Sequence, residues 1–559
     1  MPKAAHSLTL SSGAVFGASL ATQLIGFFAS VAFYKTIGLT PDGRALLGTA
    51  QLFLLIASVI NGVGDLRLGT AYTYYLARGK PATDNTTTYL LVRMLMVAAA
   101  GVLLFGIAPL PIGGARIANG STQWLSIGIF LSLPLLWSFS TVYNSLFIGL
   151  GNSVKAQYPS LVEAVARLPA ILIVAFYFPT VLGITVAYAI GAAASTIYCV
   201  PALLPMLRKF RWPEATKMFR FSWPLMGSLM LSYLVTNMAP LIVAGYLGST
   251  ALTYFLAANG WRILALSLPA AVSTPLFPYL AGLHRKEEYE GIRRGTWQAL
   301  RYCAMLLVPG VVALVTYRSV FLNDFQNGAY ATAGAIPLAL LVIGAIPLAL
   351  SQIMQTSINS IGRQRLELYI TSTQVVVLFV AIFLLMPTWG PLYLGNGLVA
   401  ASIAVLVSSI AALVLNTYFT ETLLKVHAQP RSILGITLSA AAAFFVMSQF
   451  NRYLPHDRYY LLAAGVTLGL VAYFAILIAI GELSRQDVRR LGVSIGLPTW
   501  MYEWVARICW RKTSPDLLPV DLSRARGLRP VELPATFSGT TEMPQLAQYP
   551  EDRSPPPSS

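Results

Sequence analysis

The sequence predicts an all-α, polytopic membrane protein of about fourteen transmembrane helices, arranged as two six-helix bundles related by a pseudo-twofold axis along the membrane normal, plus two extra helices. Three observations predict it. Hydrophobic residues make up 56% of the 559 and charged residues 11%, against about 25% charged in a soluble domain. Apolar runs of bilayer-crossing length, on the order of 20 residues, follow one another without the strict alternation of barrel strands. The loops between them alternate between rich and poor in Lys and Arg, as the positive-inside rule requires.

The runs lie at 8–36, 45–77, 89–109, 124–149, 158–178, 182–207, 221–247, 251–280, 297–317, 333–358, 368–386, 398–423, 433–450 and 460–480. The first is too long for the apolar region of a cleavable signal and is expected to remain as a span. With a cytoplasmic N-terminus, one set of loops carries 17 basic residues, among them Arg78, Lys80, Arg208, Lys209, Arg211, Lys217 and Arg220. The opposite set carries six: Lys35, Arg44, Arg116, Arg318, Arg452 and Arg458. An even span count puts the ten basic residues of the tail on the side of the 17, with both termini cytoplasmic. The net charge of +17 then serves topology, and no nucleic-acid partner is expected.

The halves repeat. Gly17 and Gly38 match Gly227 and Gly248; Tyr75-Leu76-Ala77 matches Tyr279-Leu280-Ala281; Arg93 matches Arg301; Gly151 and Tyr158 match Gly362 and Tyr369. Each half has an even number of spans, so the repeats are parallel, and substrate sites in such transporters lie between the halves. The expected organisation is a first bundle at 1–207, a basic cytoplasmic linker at 208–220, a second bundle at 221–430, and helices thirteen and fourteen at 431–482. An amphipathic basic interfacial segment follows at 483–512, then a disordered Pro-rich cytoplasmic tail at 513–559. The segment combines Trp500, Trp504 and Trp510 with Arg507, Arg511 and Lys512, which suits a helix lying in the membrane interface. Gly13-x-x-x-Gly17 permits close helix approach.

Charges inside spans point to function, because each costs roughly 2.5–3.5 kcal/mol near a helix centre. Five arginines remain there, Arg67, Arg93, Arg167, Arg262 and Arg301, against two acids, Asp65 and Glu163. Arg and phosphate match, since the planar guanidinium donates in pairs, so the five are candidate ligands for an anionic headgroup. The alternatives are helix–helix salt bridges and, for Arg93 and Arg301 at the starts of their spans, snorkelling to the interface. Glu163 stands at i−4 from Arg167 on one helix face. Asp65 and Glu163 are candidates for carrying a coupling H+ or Na+, or for neutralising a neighbouring arginine. Asn144, Asn237, Gln352, Gln355 and Asn359 either line the same space or join helices.

No enzyme signature accompanies these charges. The sequence has no Gly-rich phosphate loop with Lys-Ser/Thr and no histidine cluster. Cys199, Cys303 and Cys509 have no paired spacing, so neither a disulfide nor a metal is expected, and no cofactor. A secondary transporter is the expected class.

Several stretches resemble the polysaccharide flippase branch (Wzx-type O-antigen and oligosaccharide translocases) of the multidrug/oligosaccharidyl-lipid/polysaccharide (MOP) exporter superfamily. They are the opening helix 11–38, the segment 62–78 ending in Ala77-Arg78, Phe221-Ser222-Trp223-Pro224-Leu225, Pro275-Leu276-Phe277-Pro278-Tyr279, Ile361-Gly362-Arg363, and Glu482-Leu483 with Asp487. The resemblance covers about 8–490; the tail beyond departs from it. It implies a MATE-like fold in the inner membrane and translocation of a polyprenyl-diphosphate-linked oligosaccharide, a precursor of O-antigen or exopolysaccharide. An ion gradient would drive it by alternating access, with membrane lipids around the chain and polysaccharide-assembly proteins meeting the tail. The competing functions are a MATE-type cation or drug antiporter, disfavoured by arginines outnumbering acids, and a non-transporting flippase-like scaffold.

Overall fold

A computed structural model describes residues 3–77, 82–107, 121–326, 328–388, 390–426, 429–453, 459–489 and 499–509. The expectations for Arg78, Lys80, Arg116, Arg458, Trp510, Arg511, Lys512 and the tail 513–559 lie outside these residues.

The chain is helical throughout its described length. The helices are α1 (Lys3–Thr36), α2 (Pro41–Asp65), α3 (Leu68–Ala77), α4 (Ala82–Ile107), α5 (Ser121–Gly149), α6 (Ser153–Ala156), α7 (Tyr158–Tyr177), α8 (Val181–Leu203) and α9 (Trp212–Leu247). They continue as α10 (Ser249–Arg285), α11 (Tyr289–Thr316), α12 (Arg318–Gln326), α13 (Gly328–Ser360), α14 (Gln364–Leu385), α15 (Gly397–Leu424), α16 (Pro430–Tyr453), α17 (Tyr459–Ile480) and α18 (Thr499–Ile508). Among the described residues, eleven helical segments meet both the length and the apolarity that crossing a membrane requires. The protein is thus a multi-pass membrane protein.

Polar caps start the helices where the sequence provides them. Thr40, before Pro41, accepts from Gly43 N at 3.1 Å, and Thr180 accepts from Gly183 N at 3.0 Å. Asn396 accepts from Leu398 N and Val399 N. Such caps satisfy amides that no preceding turn can reach. The internal repeat shows in the backbone: Gly151 and Gly362 both close a helix with positive φ, +77° and +79°, a conformation that glycine adopts without a Cβ clash.

α10 packs against α13 and α2, α13 against α15, α7 against α8, and α1 against both α7 and α10. Buried alanines line the second half of this core, among them Ala257, Ala349, Ala400, Ala401 and Ala404, letting backbones approach as membrane helices do. α16 and α17 pair with each other, and α16 leans on α11.

Four features differ from the sequence reading. The second run is two helices, broken at Leu66 and Arg67, both left-handed with φ of +46° and +59°. Most of the linker 208–220 is the first turns of α9, which begins at Trp212. α11 begins at Tyr289, so Arg301 lies three turns inside its helix, not at its start. A Cβ at Gly17 would meet nothing within 4 Å, so Gly17 makes no close helix contact among the described residues.

Candidate functional site

The intramembrane charges fall into three groups and one further pair, Arg67 with Glu367. The first is around Asp65. Its carboxylate accepts from Tyr89 Oη at 2.7 Å and forms an ion pair with Arg93 Nη1. Arg93 Nη2 donates to Asn61 Oδ1 at 2.6 Å and to Thr141 Oγ1 at 3.2 Å. Only 1% of the Arg93 side chain is exposed, so it is fixed inside α4 by α2 and α5 rather than snorkelling. Asp65 neutralises it in a medium where an unpaired charge is very costly.

The second group is around Arg301. Its Nε donates to Glu482 Oε1 at 2.6 Å, its Nη2 to the Glu482 carbonyl, and Asp487 Oδ2 lies 3.4 Å away. Tyr302 Oη donates to Asp487 Oδ1 at 2.6 Å. Asp487 is held in turn by Ser484: its Oδ2 accepts from Ser484 N at 3.1 Å and Oγ at 2.7 Å, and Ser484 Oγ accepts from Asp487 N at 3.2 Å. This reciprocal arrangement is a capping box, and it opens the helical turn 485–489. Arg301, Glu482 and Asp487 are all buried. Arg301 therefore ties the segment after α17 to α11. Beyond it, Arg485 Nε donates to Cys509 O at 2.7 Å and Arg489 pairs with Glu503 at 2.8 Å. Ala506 and Cys509 are buried with Met305, Ala443, Tyr473 and Leu477. α18 is thus folded onto the bundle with Trp500 exposed.

The third group is central. Arg167 lies nine residues into α7 and Arg262 thirteen into α10, about 14 and 20 Å along their helices at 1.5 Å per residue, well inside a core of roughly 30 Å. Arg167 Nη1 donates to Glu163 Oε1 at 3.2 Å, and Trp137 Nε1 donates to the same oxygen at 3.2 Å. The guanidinium sits over the Tyr188 ring, 4.8 Å from its centroid, a cation–π contact. Gly191 makes room for it: a Cβ there would meet Arg167 Cβ at 2.9 Å. Arg262 Nη1 donates to Asn259 Oδ1 at 3.2 Å, while its Nε is buried without a partner. Arg262 has no carboxylate partner among the described residues.

α1 meets Arg167 and the chain neighbour of Arg262 at one level. A Cβ on Gly26 would lie 3.8 Å from Arg167 Nη2. The next residue, Phe27, packs edge-on against Trp261 at 4.5 Å, adjacent to Arg262. One arginine comes from each half of the chain. Beside Arg167, a cavity of about 20 Å³ is lined by Ser30, Gln51 and Tyr188 among others, room for a single water.

Above and below this level the halves touch. At one end Thr253 Oγ1 donates to Arg44 O at 2.7 Å, the Arg44 guanidinium lies 5.9 Å from the Tyr254 centroid, and Gly48 sits on the Ser249 carbonyl. At the other end Ser222 Oγ donates to Arg67 O at 3.1 Å, and Gly62 sits under the Tyr233 ring. There Arg67 lies 3.6 Å from Glu367, which also accepts from Asn359 Nδ2 at 2.7 Å. The sequence reading missed Glu367, Glu482 and Asp487 as partners. The signal was present in the charge count, since five intramembrane arginines cannot be neutralised by two acids. The Arg67–Glu367 pair gives a direct test: Arg67→Glu and Glu367→Arg should each lower the thermal midpoint in detergent through like-charge contact, and the double exchange should restore it. Two defects that simply add would show that the pair holds nothing together.

Residues 135–326 match the sequence profile of the polysaccharide biosynthesis protein family. No curated protein matches. Among solved structures, the chain is similar to the lipid II flippase MurJ in an inward closed conformation, with a TM-score of 0.69 at 13% identity, covering 84% of this chain and 98% of that one. A MOP superfamily transporter from Pyrococcus furiosus is similar with a TM-score of 0.57 at 12% identity, over 75% and 96% of the two chains. The Vibrio cholerae MATE transporter VcmN in its bent form gives 0.54 at 17%, over 76% and 98%. The resemblance read from the sequence thus stands: the chain has the fold of the MOP transporters, and its residues 135–326 carry the pattern of the polysaccharide biosynthesis family.

Proposed function

We propose that this chain is a flippase that moves a polyprenyl-diphosphate-linked oligosaccharide across the cytoplasmic membrane, with both termini in the cytoplasm. What supports this reading is that α1 meets Arg167 at Gly26 and Trp261, the chain neighbour of Arg262, at Phe27, so that one intramembrane arginine from each half of the chain stands at about the same depth. A diphosphate crossing a low-dielectric interior needs compensating positive charge. Arg262, with an unpartnered Nε and no carboxylate partner among the described residues, offers that charge next to Trp261, which meets the first half at Phe27. Arg167 offers it once the headgroup displaces Glu163. That exchange gives Glu163 its role: released from Arg167, it takes up a proton or a sodium ion, which links the gradient to headgroup binding. Arg67 acts at the cytoplasmic end, where its pairing with Glu367 closes the path. Arg93, Arg301 and Asp65 support the helices that carry these groups. The two halves rock about the central level, alternately opening each end. Two readings from the sequence, an antiporter and a scaffold, have no specific observation in their favour.

The test is a leaflet assay in proteoliposomes with a fluorescent polyprenyl-diphosphate sugar, with and without a proton or sodium gradient. Arg167→Ala and Arg262→Ala should each slow transport by about tenfold or more, since a hydrogen bond to a charged group contributes ~1.5–3 kcal/mol. Transport surviving both substitutions would remove the site. No transport of any lipid-linked sugar by the wild type would remove the function.

A further inference from the structure

A second polar recess lies far from the central arginines, at the end of the bundle where Arg318 stands. It is a cavity of about 370 Å³ lined by Thr316, Arg318, Ser319, Val320, Phe444, Ser448 and Asn451, between the end of α11, the start of α12 and the end of α16. Its volume falls in the range of small-molecule sites, roughly 300–1,000 Å³. Arg318 uses Nη1 on the Val315 carbonyl at 3.0 Å and has no carboxylate partner among the described residues. Asn451 Nδ2 reaches Thr316 O at 3.4 Å, while its Oδ1 is buried and accepts nothing. The Ser448 and Thr316 hydroxyls donate to their own helices, to Phe445 O and Val312 O, and so face any occupant as acceptors. The recess therefore presents one cation and several acceptors, among them a buried one that lacks its donor.

An occupant satisfying both has a negative charge for Arg318 and a hydrogen-bond donor for Asn451. The position narrows it further. The recess opens at the ends of two spanning helices, Tyr289–Thr316 and Pro430–Tyr453. Below it α16 exposes Phe445, Leu438 and Leu434, which fall on one helix face at spacings of seven and four. That apolar strip is a bed for an acyl chain.

We propose that this recess binds the phosphodiester headgroup of a phospholipid whose headgroup carries a donor, an ethanolamine ammonium or a glycerol hydroxyl. The phosphate lies against Arg318, the donor against Asn451 Oδ1, and an acyl chain runs along α16. Such a lipid joins α16 to α11 and α12, where protein contacts leave a gap. The site is independent of the translocated substrate.

Native mass spectrometry of the full-length protein in detergent tests it, with phosphatidylethanolamine, phosphatidylglycerol, phosphatidylcholine or inorganic phosphate added in turn. The wild type should retain the first two at least about fivefold more than phosphatidylcholine, whose choline has no donor. Arg318→Gln should reduce retention of both, and Arg318→Lys should keep part of it. Asn451→Leu should remove the preference over phosphatidylcholine while leaving phosphate-dependent retention. The thermal midpoint of each variant without lipid shows whether it is folded. Equal retention of all three lipids, unaffected by Arg318→Gln in a folded protein, would overturn the site. Protection by inorganic phosphate as strong as by the lipids would overturn the lipid as its occupant.

Discussion

Arg301→Ala should destabilise the protein by about 3–5 kcal/mol, the usual consequence of removing one partner from a buried ion cluster, and should release the segment after α17. The substitution leaves the carboxylates of Glu482 and Asp487, 1% and 0% exposed, without their shared cation. Tyr302 and Ser484 still donate to Asp487, but Glu482 loses both its side-chain and its carbonyl contact. Arg301→Lys should rescue little, because a single ammonium cannot reproduce a planar fork that serves two acids and a carbonyl. The triple variant Arg301→Met, Glu482→Gln, Asp487→Asn should recover much of the loss, since it removes the charges together. The measurements are the thermal midpoint in detergent and limited proteolysis between 482 and 499. A midpoint and a cleavage pattern unchanged in Arg301→Ala would refute the clamp. Transport by the triple variant then separates the two roles open to Arg301: activity that persists leaves it as a clamp, and activity that is lost makes it a ligand of the substrate.

That cluster also shows where sequence reading stops. Run length places the spans, because a helix in lipid must satisfy its own backbone and reach across a fixed thickness. The match of Gly151 to Gly362 in the sequence returns as two turns with nearly the same φ, since a positive φ selects for residue type. The Glu163–Arg167 pair was legible because i,i+4 spacing is local. Arg93 with Asp65 and Arg301 with Glu482 were not, because their partners lie 28 and 181 residues away and nothing local selects one acid over another. The break at Leu66 and Arg67 was hidden for the opposite reason. Neither residue favours the left-handed conformation, so it is imposed by the packing on both sides, not by local preference. Arg262 differs from these: its missing acid is visible only after the other four arginines within the spans, Arg67, Arg93, Arg167 and Arg301, have been paired.

Gly48→Ala and Gly62→Ala should bias the proposed flippase in opposite directions. Both glycines are on α2 and both touch the second half of the chain, 14 residues or about 21 Å apart. A Cβ at Gly48 would overlap the Ser249 carbonyl and crowd Thr253 Oγ1 at 2.7 Å; this is backbone at the start of α10 and cannot swing aside. A Cβ at Gly62 would overlap the ring of Tyr233, which is side chain and not backbone and so yields more easily. Overpacking costs about 1–3 kcal/mol, and each 1.4 kcal/mol shifts a two-state population about tenfold. Gly48→Ala should therefore favour the conformation open at the Arg44 end, and Gly62→Ala, more weakly, the one open at the Arg67 end. A cysteine at Ser30 reports on both, because Ser30 lines the small cavity beside Tyr188 and the native cysteines are buried. Labelling by a membrane-impermeant thiol reagent should rise from the Arg44 side in Ser30→Cys with Gly48→Ala, and from the other side with Gly62→Ala. Both single-sided states should transport slowly, since turnover needs each end to open in its turn. Equal labelling from the two sides in both variants would mean that α2 is not the element on which the halves close.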